Sequence, residues 1–172
     1  MKEFIVHRRA MAGGCHLVFQ NKKGMTVYRV KKQVCWMDDL PLTDHKGNTM
    51  ARIQCESLFV PNEYIISYPN DDNRTTFLRN ESKMGPVVHI QDGNKNSNTH
   101  NTRYTIRADW RRRHYQVQLV NDNDKKIVVA TISRQVGNFS SSYILRMVDD
   151  ADTVLMSSIC VAVHRIFHRS GR

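Results

Sequence analysis

Residues 151–168 read A-D-T-V-L-M-S-S-I-C-V-A-V-H-R-I-F-H, the one long segment of the chain with a helical pattern. At about 100° per residue, Leu155, Met156, Ile159, Cys160, Ala162, Val163, Ile166 and Phe167 fill a broad arc. Val154 and Val161 fall between Ser157 and Ser158 on the other side, so the segment is apolar nearly all round as far as His164. A surface helix shows a polar face, whereas one that is apolar on every side is enclosed by protein or by lipid. Length separates the two: the apolar core, 154–163, is about ten residues and contains two serines, against the roughly twenty that a membrane span needs. The segment therefore predicts a helix enclosed by protein, with Val154, Leu155, Ile159, Cys160, Val161, Val163, Ile166 and Phe167 in the core and no transmembrane segment. Asp149, Asp150 and Asp152 suit the free N–H groups at its start, and His164, Arg165, His168 and Arg169 suit the carbonyls at its end. Cys160 is then a small buried hydrophobe, not a nucleophile.

What encloses it is strand. Residues 26–34 (T-V-Y-R-V-K-K-Q-V) are rich in β-branched side chains and partly alternate. Residues 40–43 and 48–56 read as a hairpin about the turn Asp44-His45-Lys46-Gly47, with Pro41 placed at an edge or a strand start. Further short strands are predicted over 64–68, 75–79, 87–91, 103–108, 114–120, 126–133 and 143–148, separated by polar turns. Residues 92–101 lack any large apolar side chain and read as a mobile loop. A weak internal repeat relates 42–53 to 119–132: each is a strand, an acidic or amide turn, then a strand ending Ala-x-Ile. Many short strands with two related hairpins point to a sandwich or closed barrel around the helix.

At 172 residues the chain is long enough for one core. The expected division is an N-terminal arm over 1–24, without regular structure apart from a short strand at 16–20, then a domain over 25–169 and a tail over 170–172. The four cysteines, Cys15, Cys35, Cys55 and Cys160, show no metal-ligand spacing, and free thiols in a reducing compartment are the simpler expectation. The start of the chain has no apolar run of signal-peptide length, which leads to a cytoplasmic expectation, with peripheral membrane or nuclear placement as variants. Cys15, beside Gly13-Gly14, is a candidate for lipidation.

Three segments together carry a family resemblance. They are L-T-D-H-K-G (42–47) followed by Ala51-Arg52-Ile53; I-V-V-A-T-I-S-R (127–134); and Y-I-L-R-M-V-D-D-A-D (143–152) running into Val154-Leu155 and Val161-Ala162-Val163. In order and spacing the chain resembles the LURP-one-related family, whose fold is shared with the tubby C-terminal domain and the phospholipid scramblases. The resemblance covers roughly 26–167 and is poor over 70–101. It implies a mainly β fold, a closed barrel of about twelve strands around a hydrophobic C-terminal helix. It implies no catalytic chemistry, and fold alone does not fix function.

The excess of 26 Lys and Arg over 16 Asp and Glu, a formal +10, favours anionic partners. The densest cationic run is Arg107-Ala108-Asp109-Trp110-Arg111-Arg112-Arg113-His114. If extended, it places Arg111 and Arg113 on one face with Asp109, and Trp110 and Arg112 on the other with Ala108. Arg107, Trp110, Arg111, Arg112 and Arg113, extended by Lys31, Lys32, Arg52 and Arg29, are the candidate site for a phosphate-bearing lipid headgroup. The bland alternative is a solvated barrel rim with Trp110 in the core.

No nucleophile elbow, paired-carboxylate site, H-E-x-x-H or phosphate-cradling glycine loop is present, so no catalytic residue, metal or cofactor is expected. The expected function is non-enzymatic recognition of anionic phospholipid or phosphoinositide at a membrane surface, in signalling or defence. Nucleic-acid binding is the competing reading and rests on charge alone. Scramblase-like lipid transport is a third, and would require the last helix to insert in a bilayer. Asn121-Asp122-Asn123-Asp124 looks superficially like a calcium loop but lacks its glycine and distant glutamate. Asp149, Asp150 and Asp152 could ligate calcium, although helix capping accounts for them already.

Overall fold

The computed structural model describes residues 1–11, 14–31, 39–55, 63–80, 87–94, 102–109, 113–121, 123–136 and 141–168. They form β1 (Lys2–Met11), β2 (Gly14–Asn21), β3 (Thr26–Lys31), β4 (Asp39–Asp44), β5 (Thr49–Cys55), β6 (Glu63–Tyr68), β7 (Asp71–Asn80), β8 (Val87–Asn94), β9 (Thr102–Asp109), β10 (His114–Val120), β11 (Lys126–Val136), β12 (Ser141–Met147) and α1 (Thr153–His168). Each strand pairs antiparallel with its neighbours in sequence, and β1 also pairs with β12, so the pairings close into a barrel.

That closure corrects the expected arm. Most of that segment is strand: β1 runs beside β12 from Lys2↔Met147 to His7↔Ser142 and beside β2 from Phe4↔Asn21 to Met11↔Gly14. Phe4 and Val6 turn inward and are buried, as are Leu17 and Phe19 of β2. In sequence Phe4-Ile5-Val6 is too short a run, followed at once by His7-Arg8-Arg9, to display a period of two. Its strand conformation is imposed by ladders on both sides.

Elsewhere the alternation shows directly. Tyr64, Ile66 and Tyr68 of β6, Tyr115 and Val117 of β10, and Tyr143, Leu145 and Met147 of β12 are buried, while the residues between them are more accessible. Such strands bury one face against the core and leave the other to water. The core is what these inward side chains share with α1. From Leu155 to Val163 every helical residue is at most 1% exposed, including Ser157 and Ser158. The helix lies against β5, which offers the small Ala51, and β12. Val154 and Ile166 sit nearer the two mouths, half-buried and buried respectively, and Phe167, on the last turn, lies outside the described side chains.

The helix starts at Thr153 because Asp152 is its cap: Oδ1 accepts from Val154 N at 2.9 Å and Leu155 N at 3.0 Å. The carboxylate's other oxygen meets Arg74 at 2.7 Å. Ser158 Oγ donates back to Val154 O at 2.8 Å, which satisfies a buried hydroxyl.

The related hairpins are real and have a third member. At Asn21–Met25, Asp44–Asn48 and Asn121–Lys125, the first residue's N–H donates to the fifth residue's carbonyl, and the fourth residue's N–H donates to the first's carbonyl. The fourth residue is Gly24, Gly47 or Asp124, with φ of 75°, 93° and 55°. Asn21 and Asp44 also accept two turn amides each through their side chains. The Asn121 segment is thus a hairpin turn.

Strand limits differ from expectation where side chains are polar. β7 takes in Asp71 and Asp72, and β8 continues to Asn94, because Thr76↔Asp92, Thr75↔Gly93 and Arg74↔Asn94 extend their ladder. Backbone pairing does not require apolar side chains. Residues 95–101 of the expected loop, and 32–34 of the third strand, lie outside the described residues. Pro41 lies inside β4, not at a sheet edge, but the ladder with β3 stops one residue short of it, at Val30↔Leu42. Its missing donor therefore costs no rung there.

Candidate functional site

One end of the barrel, where α1 finishes, gathers cations. Tyr143, near the start of β12, meets His164 on the last turns of α1, hydroxyl to Nδ1, at 2.8 Å. Because α1 runs back along the axis, the same mouth receives the ends of β1, β3, β5, β7, β9 and β11 and the starts of their partners. Among the described residues near it, Arg8, Lys31, Arg79, Arg107, Arg113, Arg134 and Arg165 stand against Asp39, Glu63 and Asp109. Asp39 is engaged by Arg52 at 2.6 Å and Glu63 by Arg79 at 2.8 Å. The mouth where α1 starts is more evenly balanced. There Asp149 meets the N-terminal amine at 2.6 Å and Asp124 lies 3.8 Å from Arg103.

The candidates chosen from sequence divide between two walls. Lys31 is exposed at the end of β3, opposite His16 in register. Arg107 is exposed on β9, between Val87 and Gln116. β3 and β9 stand six places apart in a ring of twelve, so the two side chains share a mouth but not a wall. Arg52 is held in its ion pair across β4 and β5 and Arg29 is exposed on β3, so neither joins Arg107.

The expected extended run through 113 is also corrected. Arg113 has φ of 53°, a left-handed conformation, and forms the turn into β10, so a strict alternation of faces does not reach it. Lys32, Trp110, Arg111 and Arg112 lie outside the described residues.

What the fold does bring together had little local signal. Arg134 pairs in register with Tyr143, and its N–H donates to the Arg113 carbonyl at 3.0 Å. Arg8 lies two residues beyond Val6, the register partner of Tyr143, and so shares its inward-facing side. Tyr115 stands on the neighbouring strand, buried. His164 packs edge-on against the Tyr143 ring, with centroids 5.3 Å apart. Burial raises the Tyr143 and Tyr115 hydroxyls above the usual phenol range against the pull of Arg134, which Arg8 joins at Tyr143 and Arg113 at Tyr115. Both hydroxyls stay protonated near neutrality. One clue was available: after Ala130 and Ile132, Arg134 is a charged residue at an inward position of β11.

Among the described residues, no three His, Cys, Asp or Glu side chains are grouped to hold a metal ion. Asp149 and Asp152 are occupied as described above. Cys160 is wholly buried, which pushes its thiol up to about 12, and Cys55, in no disulfide, is of intermediate exposure. No helix among the described residues is long and apolar enough to cross a membrane.

The architecture is that of a β-barrel built around a central C-terminal helix, with cations gathered at one mouth. The chain belongs to the LURP-one-related family, whose model matches residues 2–164. The chain is similar to a protein from Arabidopsis thaliana whose X-ray structure is known, at 16% identity and a TM-score of 0.48, over 95% of this chain and 92% of that one. No match was found among curated proteins.

Proposed function

We propose that this protein is a non-catalytic binding module that recognises anionic phospholipid at a membrane surface through its cationic mouth. The observation that supports it is the uneven charge along the barrel: among the described residues near the end of α1, seven cations stand against three carboxylates. Such a face raises the local concentration of an anionic surface and orients the protein toward it. Lys31 and Arg107, on opposite walls of one mouth, suit a broad charged plane better than a single small ligand. Binding through exposed charges is screened by salt.

The test is co-sedimentation with vesicles containing phosphoinositide, beside neutral vesicles, at low and physiological salt. Retention on the anionic vesicles only, reduced by Lys31→Glu/Arg107→Glu, supports the proposal. Equal retention on both vesicle types overturns it, as does salt-dependent binding to DNA or RNA without binding to vesicles.

A further inference from the structure

Among the described residues, six large hydrophobic side chains are exposed. Phe77 lies within β7, and the other five, Met1, Met25, Ile127, Val128 and Val148, stand at the mouth where α1 starts. The five occupy neighbouring places in the ring. Ile127 and Val128 are near the start of β11, and Val148 follows β12 with its N–H on the Val129 carbonyl at 3.0 Å. Met1 precedes β1 beside Val148, since Lys2 is in register with Met147, and Met25 ends the turn from β2 to β3. Apolar side chains scattered singly over a surface need no explanation, whereas a run of them across adjoining strands marks a place of contact.

The backbone contributes to this run. Regular alternation back from the buried Ala130 would turn Val128 inward, but the ladder with β10 steps from Val117↔Ala130 to Gln118↔Val128 and leaves Val129 over. Val129 packs against the core and Val128 is exposed. Bulges at barrel rims re-aim side chains in this way.

Exposed lysines stand at both ends of the run, Lys125 and Lys126 before Ile127 and Lys22 and Lys23 in the turn that ends at Met25. An occupant complementary to this lip is apolar in its middle and acidic at its ends. An anionic bilayer would meet the lip as a plane, including the exposed Asp149 and Asp150 that lie between the two lysine pairs. A second copy turned about a two-fold axis would set Lys22 and Lys23 against Lys125 and Lys126. A polypeptide can place its carboxylates over the lysines alone.

We propose that this lip is a docking surface for a partner protein, received as a segment whose apolar centre covers Ile127, Val128 and Val148 and whose flanking carboxylates meet the two lysine pairs. A chain held to a membrane by the opposite mouth turns this lip to solution, and the lip's own residues carry the docking whether or not a membrane is bound.

The experiment is parallel selection from a display library of random short peptides on the immobilised full chain and on Ile127→Ser/Val148→Ser. The most enriched peptide is then synthesised for fluorescence anisotropy. The expected result is enrichment, on the wild type, of peptides with an apolar centre between Asp or Glu residues. The synthetic peptide should bind saturably, and Ile127→Ser/Val148→Ser should weaken it about tenfold or more. Lys125→Glu/Lys126→Glu should weaken it likewise and flatten its salt dependence. The second variant leaves the apolar centre intact, so the test survives if the first does not fold.

No enrichment, enrichment of peptides without carboxylates, or equal affinity for wild type and both variants overturns the proposal. Retention on phosphoinositide vesicles should be the same for the wild type and Ile127→Ser/Val148→Ser. Loss of retention in that variant assigns the lip to lipid and overturns the docking, as does a wild-type dimer in sedimentation velocity that the variant dissolves. Peptide binding by a chain that no vesicle retains upholds the docking and overturns the membrane reading alone.

Discussion

At the scale of single residues, the interior is satisfied unevenly. Ser158 donates to its own helix, whereas Ser157 Oγ is buried without a hydrogen-bond partner. A buried hydroxyl left unpaired is a net cost, so Ser157→Ala should leave stability unchanged or raise it by up to about 1 kcal/mol in urea unfolding. Asp124 makes the opposite point from the surface. It holds φ of 55° at a turn position that Gly24 and Gly47 fill without strain, and its contact with Arg103 is long and exposed. Asp124→Gly should therefore stabilise by roughly 0.5 kcal/mol, while Gly47→Ala should cost about 1 kcal/mol. An added Cβ at Gly47 meets nothing within 4 Å, so that loss is one of backbone conformation alone. Shifts in the urea midpoint at constant slope would report both changes. The third turn, at Asn21, passed unnoticed in sequence because Asn-Lys-Lys-Gly shares little with the acidic pair except hydrogen-bonding capacity at the first position.

At the scale of elements, the helix was the most legible part of the chain, since its period and both end signals agree within one turn. Its start is finer than composition shows: of the three aspartates, Asp152 caps, Asp149 binds the N-terminal amine, and both roles depend on where neighbouring strands end. Asp152→Ala should destabilise by about 1 kcal/mol through the lost cap. Asp152→Asn, which retains a capping oxygen, should lose only the part owed to Arg74. Paired denaturation curves would separate the two. Most strands were legible from alternation, to within a few residues. The polar ends of β7 and β8 were not, because ladder bonds belong to the backbone and leave no trace in side-chain type.

For the whole molecule, enclosure of α1 by strands on every side makes helix and barrel one cooperative unit. A variant retaining only Cys160 should react with a water-soluble thiol reagent at a rate set by global unfolding, since the thiol is wholly buried and held at about 12. Labelling as fast as a free thiol under native conditions would contradict that enclosure. Val161→Asp places an unpaired carboxylate at a position of 0% exposure and should abolish the cooperative melt. A soluble, cooperatively melting variant would mean that the helix lies elsewhere.

The sequence by itself determined that a short helix, apolar on all sides, needs a protein enclosure, that strands supply it, and that the surface is cationic. Periodicity is a property of one segment and its immediate surroundings, so it can be read one segment at a time. Only the tertiary structure decided that β1 closes the ring, that Lys31 and Arg107 stand on opposite walls of it, and that Arg134 lies across the ladder from Tyr143. These depend on ring order and register between residues up to 145 apart, as at Lys2↔Met147. Shifting a strand by one residue turns every side chain to the other face without altering its own pattern. Arg134 is one more charge in a cationic chain until pairing places it across from Tyr143.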